Sequence, residues 1–177
     1  LVSQSAKGTF ATDCQENLAE RPTLKSFTNE MQELGKKAIT IDVELNVTHA
    51  DKIMAGILSI PVGQQIIQLK RVRAIEGGVL IGYSINSFPF THNFSTDPRD
   101  YYASFYKYLE TFGILFTSAK EYLEAMLPSP EVAEKLQISP TDPVLKSVKI
   151  SHSTDRLFTE YNICYFVGSE YRYYVKY

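Results

Sequence analysis

An α+β fold, built as two similar lobes that share one antiparallel sheet, is what this sequence predicts. Three observations predict it. The stretch QQIIQLKRVRAIEGGVLIGYSINSFPF, residues 64–90, alternates like a strand, turns at a double glycine and alternates again. Shifted by about 78 positions, the middle of the chain maps onto its end: Leu58 meets Leu136, Ile60 meets Ile138, Ile66 meets Val144, Ile67 meets Leu145 and Arg71 meets Lys149. In each copy a short helix and a turn precede a hairpin, and a seam between two such lobes is a natural place for a pocket.

The elements follow in order. Residues 1–23 are polar without a sustained period and read as a short strand or extended arm and a linker. SFTNEMQELGKK, from Ser26, reads as a helix: Ser26 or Thr28 caps it, Glu30 favours its first turn, and Gly35 with two lysines closes it. Residues 38–49 are β-branched and alternate, hence a strand. Residues 49–60 carry Ile53, Ile57 and Ile60 at helical spacing. The hairpin pairs 64–75 with 79–88 around Gly77-Gly78. After Pro98, residues 99–113 place Tyr101, Phe105, Tyr108 and Phe112 on one helical face, and Gly113 ends the helix. Residues 114–127 begin like a strand and end like a helix. Residues 129–138 form a short helix with Pro130 in its first turn, and strands follow at 143–153, 157–167 and 171–176.

Composition narrows the function. The chain has 177 residues, 44% hydrophobic and 21% charged, with net charge −2 and pI near 6.0. It has no excess of Lys and Arg to grip phosphate backbones, so by itself it is a poor nucleic-acid binder. Cys14 and Cys164 make neither a disulfide framework nor a zinc ligand set, and a reducing cytoplasm is the simplest setting. No apolar run approaches a membrane span, and no signal peptide opens the chain. It starts at Leu1 without a methionine, which reads as a piece cut from something longer or as the result of processing. His49, His92 and His152 have neither ligand spacing nor a flanking nucleophile motif. No catalytic residue, cofactor or metal is expected.

The chemistry concentrates in the hairpin. Alternation puts Ile67, Leu69, Arg71 and Arg73 on one face. If Glu76 pairs with Val79, Arg71 lies opposite Ser84 and Arg73 opposite Gly82, and these small partners leave space above both guanidiniums. By the repeat, Lys149 lies opposite Asn162 and Ser151 opposite Glu160, so the second lobe offers acceptors where the first offers cations. Two arginines in a half-buried cleft need an anion; at a wet sheet edge they would need only water or a carboxylate partner. Ser104, one turn into the aromatic helix, and Ser26-Phe27-Thr28, at another helix start, are either anion contacts or ordinary helix positions. Glu160 is either an acceptor for a ligand's hydroxyls or a solvent-facing charge.

Six segments in sequence carry a resemblance: SFTNEM with its nearby glycine, ILSIPVGQQIIQLKRVR, IGYSINSFP, SFYKYLETFGI, AEKLQISPTDPVL and TEYNICYFVGSEYRYYV. In this order and spacing the chain resembles the UTRA domain, the effector-binding half of HutC-type regulators in the GntR family, over residues 22–177. SAKGTFAT, residues 5–12, is similar to the wing that ends these regulators' winged-helix DNA-binding domain, which makes 1–21 a remnant of that wing and a linker. The resemblance implies a chorismate-lyase-like antiparallel sheet with helices packed around it. It implies a cytoplasmic homodimer that senses a small anionic metabolite, often a phosphosugar, and reaches operator DNA through a missing N-terminal domain. It assigns Arg71 and Arg73 to the anion, with help from Ser104 and from Ser26, Phe27 and Thr28. Glu160 would contact sugar hydroxyls, with an aromatic near Phe166 beside it. Many members carry glutamate where this chain has Ser84, which removes a ligand-facing carboxylate and argues against the amino-sugar phosphate. The competing expectations are a chorismate-lyase-like enzyme acting on a small carboxylate, and a dimerisation module with no ligand.

Overall fold

Short polar-capped helices alternate with long β-branched strands, and the order repeats. The computed structural model describes residues 24, 26–91, 93–155 and 157–173. The first lobe runs α1 (Phe27–Glu33), β1 (Ala38–His49), α2 (Lys52–Leu58), β2 (Gln65–Ile75) and β3 (Leu80–Pro89). A 3-10 turn at Pro98–Tyr101 leads to the second: α3 (Phe105–Glu110), β4 (Phe116–Met126), α4 (Pro130–Leu136), β5 (Val144–Ser153) and β6 (Thr159–Val167). One six-stranded antiparallel sheet results, in the order β1-β2-β3-β6-β5-β4. The arm, linker and wing remnant expected over 1–23 lie outside the described residues, apart from the helix approach at Leu24.

The repeat is longer than the hairpin unit read from sequence, because α1–β1 and α3–β4 belong to it as well. Its offset of 78 positions holds even at the caps. Ser26 and Ser104 are the N-caps of α1 and α3, and Asp51 and Ser129 those of α2 and α4. Ser59 and Gln137 close α2 and α4 in the left-handed conformation, with φ of 57° and 54°. Gly35 and Gly113, with φ of 70° and 75°, turn the chain after α1 and α3, where a side chain would be strained. At the seam Ile85 pairs with Ile163, its own repeat partner, so an approximate two-fold axis passes between β3 and β6.

The two sheet faces bury different helices. Ile67 and Leu69 of β2 meet Phe88, Phe105, Leu109, Phe116 and Phe158 under α3, while Met31 of α1 packs on Ile81, Cys164, Phe166 and Tyr171. On the other face Val132 and Leu136 of α4 cover Val72, Tyr83, Val144 and Val167, and Ala55 and Leu58 of α2 cover Ile66. Each fully buried Leu, Ile or Phe contributes about 1.5–3 kcal/mol.

Several local expectations change. In α2 the burying residues are Ala55 and Leu58, while Ile53 is 74% exposed; the helix is only two turns long, too short for the isoleucine spacing to define its face. The aromatic helix breaks after Tyr101 and restarts at Ser104, although Tyr101, Phe105, Tyr108 and Phe112 still pack in one cluster. Residues 116–126 resolve as a strand because β5 supplies a full ladder. The strand expected over 171–176 is absent at 171–173, where Tyr171 instead stacks on Phe166 at 3.8 Å; the remainder lies outside the described residues. The hairpin turns through Glu76-Gly77-Gly78, with Ile75 N–H donating to Val79, and a bulge at Ile81 restores the anticipated pairs Arg71–Ser84 and Arg73–Gly82.

Gly168, just after β6, leaves no room for a side chain: an added Cβ would sit 2.6 Å from the Pro143 carbonyl oxygen. Gly168→Ala is expected to cost about 2 kcal/mol, lowering the melting temperature by roughly 4–8 °C, which thermal unfolding checks.

Candidate functional site

The alternating stripe of β2 runs out of apolar residues halfway along, and there a cavity opens. Ile67 and Leu69 are wholly buried in the α3 core; Arg71 and Arg73 follow on the same face and are only 6% and 5% exposed. The wet-edge reading of the two arginines is thereby excluded. They line a cavity of about 750 Å³ between α1, α3 and the sheet floor at the β3–β6 seam. Ser26, Phe27, Thr28, Ser84, Ser104, Glu160 and Phe166 line it too, so all nine candidate ligand residues meet there.

The guanidiniums are held but not satisfied. Arg71 Nη2 donates to Asn86 Oδ1 at 3.4 Å, and Arg73 Nη2 donates to Thr28 Oγ1 at 3.2 Å. Aromatic faces support both: Arg71 lies 5.4 Å from the Phe105 ring centre and Arg73 lies 4.8 Å from that of Phe27. Arg71 Nε and Nη1, Arg73 Nε, Ser84 Oγ and Ser104 Oγ are buried with no hydrogen-bond partner among the described residues. Burial and the neighbouring Arg73 charge pull Arg71 down to about 9, with Glu160 opposing; burial pulls Arg73 to about 10. Both remain cationic at neutral pH.

The two capping serines have diverged. Ser26 Oγ accepts the Asn29 N–H at 3.2 Å, as an N-cap does. Ser104, on the cavity wall, makes no side-chain cap bond, and its buried hydroxyl has no partner among the described residues. Glu160, completely buried, is not solvent-facing: it accepts from Asn86 Nδ2 at 2.5 Å and from the Tyr106 hydroxyl at 2.9 Å. Its aromatic neighbour is therefore Tyr106. Phe166 lies six residues away along β6, opposite Gly82, and stacks between Phe27 and Tyr171. Beside its acceptors the second lobe supplies a cation, Lys149, the repeat partner of Arg71, which lies 5.6 Å from the Tyr106 ring centre. Burial works against its charge, but Tyr106, Glu160 and Glu121 together raise its proton affinity above the usual lysine value.

Sequence reasoning missed Asn86, Tyr106, Glu30, Glu121 and Tyr171 in the wall. Asn86 was legible, since it continues the Gly82-Ser84 alternation; Lys149 was legible as the repeat partner of Arg71. Tyr106 was not, because the helical period marks the opposite, core-facing side of α3. Cys164 also lines the cavity, but burial pushes its thiol up to about 12 despite Arg73, so it is no nucleophile at neutral pH.

Chemically, the arrangement presents two fixed cationic forks and two hydroxyls to an acceptor-rich anion, in a space large enough for a compound well beyond inorganic phosphate in size. Among the described residues no helix is long and apolar enough to cross a membrane.

Comparison with known proteins agrees with this architecture. The family model of the UTRA domain matches residues 33–172. The HTH-type transcriptional repressor PhnF of Mycolicibacterium smegmatis is 27% identical over 136 residues, 76% of this chain and 55% of that protein. The chain thus spans about half the length of the curated relative. The crystal structure of PhnF from Mycobacterium smegmatis superimposes with a TM-score of 0.75 at 24% identity, covering 87% of this chain and 69% of the other. The PhnF effector domain gives 0.75 at 24%, covering 86% and 94%. The possible transcriptional regulator YydK from Bacillus subtilis gives 0.72 at 21%, covering 79% and 61%. The likeness bears out the α+β, chorismate-lyase-like sheet with helices around it.

The Arg71 charge carries a penalty that geometry makes testable. Its folded-state value is lowered, so the destabilisation is complete below about pH 9, where folded and unfolded chains both hold the proton, and is relieved as pH rises further. Arg71→Met removes a charge whose lost hydration is only partly replaced and is expected to raise the denaturant midpoint of the ligand-free chain at pH 7.

Proposed function

The chain belongs to the UTRA domain family, and from that premise we propose that it is the sensing and dimerising half of a HutC-type GntR regulator, controlled by a small anionic metabolite. It is the effector-binding domain of a transcription regulator; the metabolite's class is read from the cavity. One observation carries the reading: the four residues that hold the five buried polar atoms without a partner among the described residues, Arg71, Arg73, Ser84 and Ser104, all line one cavity. A phosphate monoester offers oxygens to both guanidiniums and both hydroxyls at once, and the remaining volume suits a hydroxylated body such as a sugar. Asn162 and Ser147 on the cavity wall supply hydrogen-bonding groups for such a body.

Control of operator DNA then follows from linkage. An anion that binds one arrangement of the homodimer better than another shifts the populations by that difference, and DNA affinity shifts with them. The DNA reader is the winged-helix domain whose wing the first residues resemble, and the cytoplasm is where such a regulator meets its operator. The name of the relative, a transcriptional repressor, supports this reading and weighs against the lyase alternative.

A thermal-shift panel tests it. A hexose phosphate at a hundred times its Kd is expected to stabilise the chain by about 2.7 kcal/mol, a rise of roughly 5–11 °C. Arg71→Ala with Arg73→Ala should remove that response and leave the dimer mass unchanged. Stabilisation only by neutral compounds would overturn the anion assignment, and release of pyruvate from chorismate would revive the enzyme.

A further inference from the structure

The cavity has two electrically different ends. Arg71 and Arg73 stand on β2. Across the sheet, beyond β3 and β6, the lining changes sign. Glu121 of β4 lies opposite Lys149 of β5, and Glu30 projects from α1 into the same end. Glu33 stands one turn further along α1, also on the cavity wall. Lys149 is the only cation lining that end among the described residues, and Glu160 lies between the ends, already engaged by Asn86 and Tyr106. The far end therefore holds more negative than positive charge.

These carboxylates are positioned groups. Glu30 Oε1 accepts from the Tyr171 hydroxyl at 2.5 Å. Glu121 Oε1 accepts from Ser147 at 2.6 Å and Oε2 from Tyr173 at 3.1 Å. A carboxylate oxygen has more than one lone pair, so each acid keeps acceptor capacity beyond its tyrosine. Two tyrosine rings stand beside them on the wall, surfaces that attract cations as well. Burial raises Glu30 above the usual carboxylate range, as do the nearby Glu121 and Glu33 charges, while Tyr171 and Lys149 oppose; an added cation would relieve that repulsion. The independent sign of a ligand in this cavity is the set of buried, partnerless atoms on Arg71, Arg73, Ser84 and Ser104.

We propose that the effector is dipolar, with an anionic group at Arg71 and Arg73 and a protonated amine at Glu30 and Glu121. This rests on the anion-sensing reading above and adds the second group. The spacing sets the ligand's length. From Glu121 the ladder steps through Lys149, Asn162 and Asn86 to Leu69, beside Arg71. Four strand spacings are about 19 Å at the backbone, which two inward-leaning side chains shorten to on the order of 10 Å. A short amino acid cannot bridge that gap; an amine several carbons from its phosphate can.

Calorimetric titration of the full chain with hexyl phosphate and with 6-aminohexyl phosphate tests the amine separately from the anion. The amine is expected to tighten binding at least fivefold at pH 7. In Glu121→Gln, and again in Glu30→Gln, the ratio between the two probes should fall toward one, while Arg71→Ala should weaken both probes. Equal binding of the two probes by the unaltered chain overturns the amine subsite and leaves the anion reading standing. A ratio that persists in both glutamine variants also overturns it, because the amine is then read elsewhere. If neither probe binds, the anion reading fails and the amine subsite fails with it.

Discussion

Two buried guanidiniums without full partners are the constraint on which the rest of this structure depends. A charge removed from water is costly unless hydrogen bonds and counter-charge replace the lost hydration. Here the replacement is partial: one amide, one threonine hydroxyl and two aromatic faces. The surrounding core tolerates the deficit because Ile67, Leu69, Phe88 and Phe105 next to it are packed without one. Stability held in the α3 core offsets strain concentrated at the end of the same strand.

The duplicated plan explains why a cavity exists at that spot. Where Ile85 and Ile163 pair, β3 and β6 meet as repeat partners, and the helices that cover this face, α1 and α3, stand on either side of the axis. Each packs on strands of both lobes, and the cavity lies between them. The two halves carry separate chemistry. Arg71 corresponds to Lys149, Ser84 to Asn162, and the uncapped hydroxyl of Ser104 to the capping hydroxyl of Ser26. The seam is structural inheritance; the charge pattern on it is not.

Much of this was legible in the residues. The arginine–serine and arginine–glycine pairs follow from strand alternation and a short turn, and they survived a wrong turn assignment because the bulge at Ile81 absorbs one residue. The six strands follow from β-branched runs, with 116–126 as the hard case, since only the ladder to β5 distinguishes it from a helix. What stayed hidden depends on tertiary placement. Glu121 is an exposed residue on an edge strand, and nothing local marks it as a cavity wall. Tyr106 occupies the non-core side of its helix, where periodicity assigns no role. Glu30 reads as a favourable first-turn acid in α1, and only packing turns it toward Tyr171.

The approximate two-fold axis has one more effect. A socket with true symmetry would accept its guest equally in two opposed orientations, and binding would report presence without direction. Because only β2 carries paired arginines, the two orientations are no longer equivalent, and any occupant lies one way round. An occupant with unlike ends would then set each of them against a different lobe, so that matching halves would be loaded unequally.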